Sequence, residues 1–165
     1  MTLHRREGLT DAEVLLLARN FHQGGNPGIG RKVLLDLLSG PSPDPRAALE
    51  FARLEGHNPA QRQAIRQHLS RVLANDPENM EVLEQLTELD LVDGNVQRAR
   101  QRLDDAVVKS GWMGRTFLLR GKLLLQLGEF VAARDDAERA SKLDPSSLDD
   151  AYDIMTCLLY TSPSP

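Results

Sequence analysis

A glycine-rich segment at residues 24–32, GGNPGIGRK, has residue types that could bind phosphate. Gly25 and Gly30 have the separation found in a phosphate-binding loop, whose backbone N–H groups surround the phosphate oxygens. However, Arg31 stands where that motif needs Lys, and no Ser or Thr follows it. The preceding pattern is also helical, whereas the motif follows a strand. The segment is therefore interpreted as a glycine-rich turn between two helices.

The same region permits a second interpretation, a DNA-binding helix-turn-helix. Residues 28–38 would form the recognition helix, with Arg31 and Lys32 directed at DNA. A net charge of −4 and the lack of a wider basic patch argue against this interpretation. DNA binding by the N-terminal hairpin is kept as an alternative function that these observations disfavour.

Residue types that bind metals or attack substrates are present but do not form a recognised motif. The histidines form no i, i+4 pair and no HExxH signature, and no serine lies in a nucleophile elbow. The four histidines are His4, His22, His57 and His68. The sequence therefore predicts no catalytic residue, no cofactor and no metal site, and the protein is predicted not to be an enzyme.

A repeat with a period of about 34 residues organises the chain, and a fixed period of this length with helix–turn–helix character indicates a helical solenoid. Its clearest copy, residues 114–145, reads as two amphipathic helices with a Gly turn between them and a Pro after them. Identical residues one period apart are Gly94 and Gly128, Ala99 and Ala133, and Ala106 and Ala140, while Pro77 and Pro145 lie two periods apart.

Small residues in this copy have a predicted packing role. Gly121 lies within the apolar stripe of the first helix, where a missing side chain lets a neighbouring helix approach closely. Gly128 is expected to end that helix in the left-handed conformation. Ala133, Ala137 and Ala140 share one face of the second helix and are expected to set the distance between the helices.

These residues closely resemble the tetratricopeptide repeat. The matching positions are Gly121, Gly128, Phe130, Ala133, Ala140, Leu143 and Pro145. The sequence departs from the family pattern at Phe117, where the family often has Trp, and at Ala137, where it often has an aromatic residue. Residues 80–111 are a weaker copy, and residues 46–77 are weaker still because their turn does not fit.

The resemblance implies an all-α fold, a right-handed solenoid of about four helical hairpins plus a truncated fifth. The predicted organisation is an irregular N-terminal hairpin over 1–40, a Pro-rich linker over 41–45, and repeat-like units over 46–79, 80–113 and 114–147, with a partial unit over 148–156. The last helix is expected to run through Ala151, Ile154 and Met155 and to leave apolar surface exposed.

Helix starts are predicted from capping residues. Thr10 and Glu13 form a capping box. Asn26 and Asn58 each precede a Pro and are expected to cap the helices that follow. Asp76-Pro77-Glu78 is expected to open the next hairpin, because acidic residues are favourable at a helix start.

The C-terminal segment 157–165, CLLYTSPSP, is expected to break the helical pattern abruptly. It resembles the translation of an adapter used in preparing sequencing libraries. On this interpretation it is a non-native tail, the native sequence is cut off near Thr156, and the native part has no cysteine.

By the same resemblance, the first helix of each repeat lines a concave groove that holds extended peptides or partner helices. The groove positions are Glu81, Glu84, Glu88, Arg115, Leu118 and Lys122. They are interpreted either as acidic and basic patches for partners or as a solvated face whose charges complement each other across the groove. Acidic residues stand where the family's carboxylate clamp needs Lys and Asn, so binding of a chaperone C-terminus is disfavoured.

Composition agrees with a folded helical protein. The 165 residues are 41% hydrophobic and 27% charged, and no stretch has the apolar length of a signal peptide or a membrane span. The predicted function is a non-catalytic protein–protein interaction scaffold in the cytoplasm, with an unidentified protein or peptide as partner. An alternative is an N-terminal appendage of a larger enzyme, such as a transferase, whose catalytic domain is missing.

Overall fold

The computed structural model describes residues 9–110 and 113–161, and every regular element in those ranges is helical. The helices are α1 (Asp11–Gln23), α2 (Pro27–Leu38), α3 (Pro45–Glu55), α4 (Pro59–Asn75), α5 (Met80–Val92), α6 (Val96–Ser110), α7 (Gly114–Gln126), α8 (Phe130–Leu143) and α9 (Leu148–Thr161), with a 3₁₀ turn at Pro145–Ser147. The described part of the chain therefore forms four helical hairpins and a further helix, and the predicted all-α hairpin fold is confirmed. No described helix is long and apolar enough to cross a membrane.

The chain divides into two compact units, Met1–Leu89 and Asp90–Pro165, here called the N-terminal unit and the C-terminal unit. Large aliphatic side chains fill the core of the N-terminal unit, together with the ring of Phe51. The core of the C-terminal unit contains smaller side chains, with alanines of α8 and α9 packed against Phe117, Leu118 and Leu124 of α7. Each unit thus buries its own apolar faces.

Helix boundaries repeat at the interval seen in the sequence. The first helices α5, α7 and α9 begin at Met80, Gly114 and Leu148, so each begins one repeat period after the one before it. The second helices α6 and α8 begin at Val96 and Phe130, which are also one period apart. Equivalent positions in successive hairpins can therefore be compared by adding one period to the residue number.

The turns at Gly94 and Gly128 have the same backbone structure. Gly128 has a φ of +76°, its N–H donates to Leu125 O at 3.1 Å, and the N–H of Glu129 donates to Leu124 O at 2.9 Å. Gly94 has a φ of +72° and repeats both bonds. These are the two bonds of a Schellman motif, which satisfies the last carbonyls of the helix. The predicted role of Gly128 is confirmed.

Two of the predicted caps have the expected hydrogen bonds. The N–H of Thr10 donates to Glu13 Oε2 at 2.8 Å, and the N–H of Glu13 donates to Thr10 Oγ1 at 3.3 Å, which completes the capping box. Asn58 Oδ1 accepts from the N–H of Ala60 at 3.1 Å. Asn26 precedes α2, but its side chain makes no capping bond and donates to Gly24 O at 3.4 Å.

The predicted start of α5 was wrong by one helical turn. Asp76 caps the C-terminus of α4, and α5 begins only at Met80. Asn79 Oδ1 accepts from the N–H of Val82 at 3.2 Å, so Asn79 supplies the capping side chain. Asp76 and Asn79 are both favourable N-cap residues by type. Only the path of the backbone determines which of them caps α5.

The predicted break at Cys157 is also wrong, because α9 continues to Thr161. Residues 157–161 contain no helix breaker, and the first proline of the segment is Pro163. Residues 162–165 lie outside the described part of the chain. The adapter origin of the segment stays a prediction.

Close helix approach requires glycine at Gly30 more strictly than at Gly121. A Cβ on Gly30 of α2 would lie 2.6 Å from Ala18 O of α1, a backbone atom that cannot turn away. At Gly121 of α7 a Cβ would lie 3.4 Å from both Ala133 O and Ile154 Cδ1. The predicted close approach at Gly121 is present, while the tighter one at Gly30 was not predicted.

We expect Gly30→Ala to lower the free energy of unfolding by about 1–3 kcal/mol, because the added methyl group overpacks the contact between α1 and α2. Gly28→Ala is the matched control in the same helix, since a Cβ there meets nothing within 4 Å. That variant should gain about 0.5–1 kcal/mol from helix propensity. Urea unfolding followed by circular dichroism measures both, and equal effects of the two substitutions would contradict the close contact.

Candidate partner-binding surface

Helix α5 carries three exposed carboxylates on one face. Glu81, Glu84 and Glu88 are spaced by three and four residues, so they follow one another along the helix surface. The opposite face is buried in the core of the N-terminal unit through Val82 and Leu86. We call Glu81, Glu84 and Glu88 the acidic row. Its position is fixed because the apolar face of the same helix is held in the core.

The acidic row concentrates negative charge. Glu84 and Glu88 are an i, i+4 like-charge pair, an arrangement that costs a few tenths of a kcal/mol in an isolated helix. Glu88 Oε2 accepts a hydrogen bond from Gln85 Nε2 at 3.0 Å. A neutral amide orients Glu88 in this way without cancelling its charge.

The groove positions predicted on α7 separate into two kinds. Arg115 and Lys122 are exposed, and Lys122 Nζ lies 3.8 Å from Asp150 Oδ1 of α9. Both members of that pair are at least half exposed, so it contributes less than about 1 kcal/mol. Leu118 is only 4% exposed and belongs to the core cluster with Ala151 of α9. The prediction that Leu118 is a surface residue of the groove is therefore corrected, because the structure places its side chain in the core.

The glycine-rich segment 24–32 does not form a phosphate-binding loop. Only residues 24–26 form the turn, and α2 already begins at Pro27. Gly25 has a φ of +81°, and its N–H donates to His22 O at 3.3 Å. The predicted inter-helix turn is present but shorter than expected, since residues 27–32 are helical.

Arg31 neutralises a buried carboxylate. Its Nε and Nη2 donate to Glu55 Oε1 at 3.1 and 2.9 Å, and Nη2 also donates to Oε2 at 3.0 Å. Glu55 is 3% exposed, and His22 Nε2 lies 3.8 Å from the same carboxylate. The neighbouring Lys32 is exposed. Because the guanidinium is held by Glu55, this geometry further disfavours the helix-turn-helix interpretation.

A second buried carboxylate, Glu50 of α3, is held by two arginines. Arg19 of α1 donates through Nε and Nη2 at 3.0 Å each, and Arg53 donates through the same two nitrogens at 3.0 and 2.5 Å. Burial alone raises the pKa of the Glu50 carboxyl. The hydrogen bonds and charges of Arg53 and Arg19 outweigh burial and lower that pKa to about 2.

The C-terminal unit uses the same chemistry. Asp90 of α5 is 0% exposed and accepts from Arg102 Nη2 of α6 at 2.9 Å. Asp136 of α8 is also buried and accepts from Arg120 Nε and Nη2 of α7 at 2.7 and 2.8 Å. Arg120 Nη1 donates to Asp104 Oδ1 at 3.0 Å. Sequence reasoning missed these pairs.

His68 lies against the core of the N-terminal unit. Burial lowers the pKa of its imidazole, and the charge of Arg71 lowers it further. Its Nδ1 is buried without a hydrogen-bond partner, and its ring meets Phe51 edge-on with 6.2 Å between centroids.

Among the described residues no group of three His, Cys, Asp or Glu side chains is suited to hold a metal ion.

The fold defines a class, the all-α proteins built from repeated helical hairpins. No protein-family model matches the sequence, and no curated protein matches it. Solved structures do match, and they show that the chain has the tetratricopeptide-repeat fold. Because sequence identity to the structures described next is 18% or lower, this likeness concerns the fold alone.

Three of these structures illustrate the match. A tetratricopeptide repeat protein from Parabacteroides merdae aligns with a TM-score of 0.63 at 15% identity, over 89% of this chain and 58% of that chain. PilF from Pseudomonas aeruginosa aligns with a TM-score of 0.56 at 16% identity, over 92% and 76%. TTC0263, a thermophilic TPR protein from Thermus thermophilus, aligns with a TM-score of 0.54 at 18% identity, over 94% and 93%. The chain thus spans little more than half of the Parabacteroides protein.

We expect Arg31→Met to lower the free energy of unfolding by about 2–4 kcal/mol, because Glu55 would remain buried without its cation. Lys32→Met is the matched control, since the adjacent exposed side chain should change stability by no more than about 0.5 kcal/mol. Urea unfolding at neutral pH measures both variants. Similar stability of the two variants would show that Arg31 is not needed to neutralise Glu55.

Proposed function

We propose that this protein is a non-catalytic scaffold that binds a peptide or helix of a partner protein. The observation that carries the proposal is the fold, since repeated helical hairpins present rigid surfaces assembled from successive helices. The resemblance to tetratricopeptide repeats assigns partner binding to a concave groove lined by the first helices. A cytoplasmic location is part of the same proposal.

The acidic row gives the proposed partner its chemistry. Glu81, Glu84 and Glu88 are exposed and are carried by a helix whose other face is anchored in the core. A partner with Lys or Arg at matching spacing would gain electrostatic steering towards this row of carboxylates. We therefore infer a basic peptide or a helix with a basic edge as the ligand of α5.

Arg115 and Lys122 of α7 supply a second, separate contact in the proposal. Both side chains are exposed and lie two helical turns apart, and the weak pair between Lys122 and Asp150 leaves that ammonium group available to a ligand. An acidic group on the partner would suit these positions. Leu118 is not included, because its side chain lies in the core.

The test uses a labelled helical peptide with lysines along one edge and a counterpart with glutamates in their place, and it measures binding by fluorescence anisotropy. We expect the lysine peptide to bind more tightly, and Glu84→Lys with Glu88→Lys to weaken that binding about ten-fold or more. Helicity should be unchanged, because both side chains are exposed.

The matched control is Asp149→Lys with Asp153→Lys. These two acids are also exposed and spaced i, i+4, and their replacement changes the net charge by the same amount. The control should bind the lysine peptide within about three-fold of the unmodified protein. It leaves the acidic row intact and changes only the non-specific attraction, which depends on net charge. Equal losses in both variants, or no preference for the lysine peptide, would count against the acidic row as the binding surface.

A further inference from the structure

Two arginines share the buried carboxylate of Glu50. Arg19 of α1 and Arg53 of α3 each donate through Nε and Nη2, and each arginine bonds to both oxygens of that carboxylate. Both pairs are therefore bidentate, an arrangement that fixes the direction of a guanidinium group as well as its distance. Because the two arginines bond to the same two oxygens, their guanidinium groups lie beside each other.

The arginine pair carries more positive charge than Glu50 neutralises. One guanidinium group is enough to neutralise one carboxylate, so the second is surplus. Hydrogen bonding to Glu50 raises the pKa of both guanidinium groups, and no other carboxylate of the described residues acts on Arg19 or Arg53. The charge of Arg19 lowers the pKa of Arg53, as expected for like charges held close together.

The arginine of α7 shows the opposite balance. Arg120 donates to Asp136 through Nε and Nη2 and to Asp104 through Nη1, so two carboxylates share one guanidinium group. This arrangement leaves no nitrogen of Arg120 for a further anion. The surplus of positive charge at Glu50 is thus not a general property of the buried ion pairs in this fold.

Both arginines on Glu50 also keep unused hydrogen-bond donors. Within the described part of the chain, Nη1 of neither arginine makes a hydrogen bond. The side chains of Arg19 and Arg53 are 44% and 53% exposed, whereas that of Glu50 is 8% exposed. A buried carboxylate therefore fixes two half-exposed guanidinium groups that still have N–H groups to donate.

We propose that Arg19 and Arg53 form a binding site for a phosphoryl group. Guanidinium groups bind phosphate through paired N–H donors, and a phosphoryl group has three acceptor oxygens with which to bridge two arginines. Its charge of about −2 at neutral pH would offset the surplus positive charge. Glu50 holds both guanidinium groups in place before the ligand arrives, which lowers the entropic cost of binding.

The phosphoryl site is separate from the acidic row and has the opposite charge, so neither surface needs the other in order to bind its ligand. Arg19 and Arg53 lie one repeat period apart on the first helices of the first two hairpins. The same repeat position therefore supplies both arginines.

The test uses a labelled peptide of neutral sequence with one phosphoserine, beside counterparts with serine or glutamate at that position, and measures binding by fluorescence anisotropy. We expect the phosphoserine peptide to bind about ten-fold or more tightly than either counterpart, because of its extra acceptor oxygens and charge. Inorganic phosphate should displace it better than chloride at matched ionic strength, and the two affinities show whether free or peptide-borne phosphate is preferred. Displacement no better than by chloride would count against the site.

Three variants separate the site from general electrostatic attraction. Arg19→Gln should weaken binding of the phosphoserine peptide about ten-fold or more, while Glu50 stays paired with Arg53 and helicity by circular dichroism is unchanged. Arg19→Lys keeps the net charge but loses the fork of donors, and should weaken binding at least about three-fold. The matched control is Arg134→Gln, a half-exposed arginine of α8, which should stay within about two-fold of the unmodified protein.

Three results would overturn the proposal. They are equal binding of the phosphoserine and glutamate peptides, equal losses in Arg19→Gln and Arg134→Gln, and full affinity in Arg19→Lys. If Arg19→Gln fails to fold, Arg53→Gln leaves Glu50 paired with Arg19 and is held to the same expectation.

Discussion

A carboxylate removed from water between helices must be neutralised, and this constraint shapes both units of the protein. The buried carboxylates of the described residues are Glu50, Glu55, Asp90 and Asp136, and each accepts hydrogen bonds from at least one arginine. Each of these carboxylates is joined to at least one arginine of another helix. Apolar burial supplies most of the stabilisation, whereas a charge-assisted pair with fixed geometry defines which helices meet and at which turn.

This use of charge also bears on function. Arginines such as Arg31 and Arg120, which by residue type could bind phosphate or nucleic acid, are occupied by internal carboxylates. The acidic row is exposed and lies on α5, a helix whose other face is buried in the core of the N-terminal unit. The proposed scaffold function needs this division of roles, because a rigid interior would hold the proposed recognition side chains in place for a partner.

Local signals in the sequence predicted the helices and several of their ends correctly. The capping box at Thr10 and the turn at Gly128 depend on neighbouring residues only, so their chemistry can be recognised without tertiary structure. The choice of Asn79 over Asp76 as the cap of α5, and the burial of Leu118, depend on how helices pack. The ion pairs were missed for the same reason, since Glu50 and Arg19 are 31 residues apart and no local pattern connects them.

Arginines form ion pairs with the buried carboxylates, and the pKa of Glu50 tests this pairing most directly. A pKa of about 2, below the ordinary 4.5, means that the stability from this group is fully present above pH 4.5 and is lost as the pH falls through 2. The measurement is a pH titration of the Glu50 carboxyl-carbon chemical shift by NMR, assigned with Glu50→Gln. A midpoint near 2 is the predicted result. A midpoint near 4.5 would contradict the account, because Arg19 and Arg53 would then not be stabilising the carboxylate.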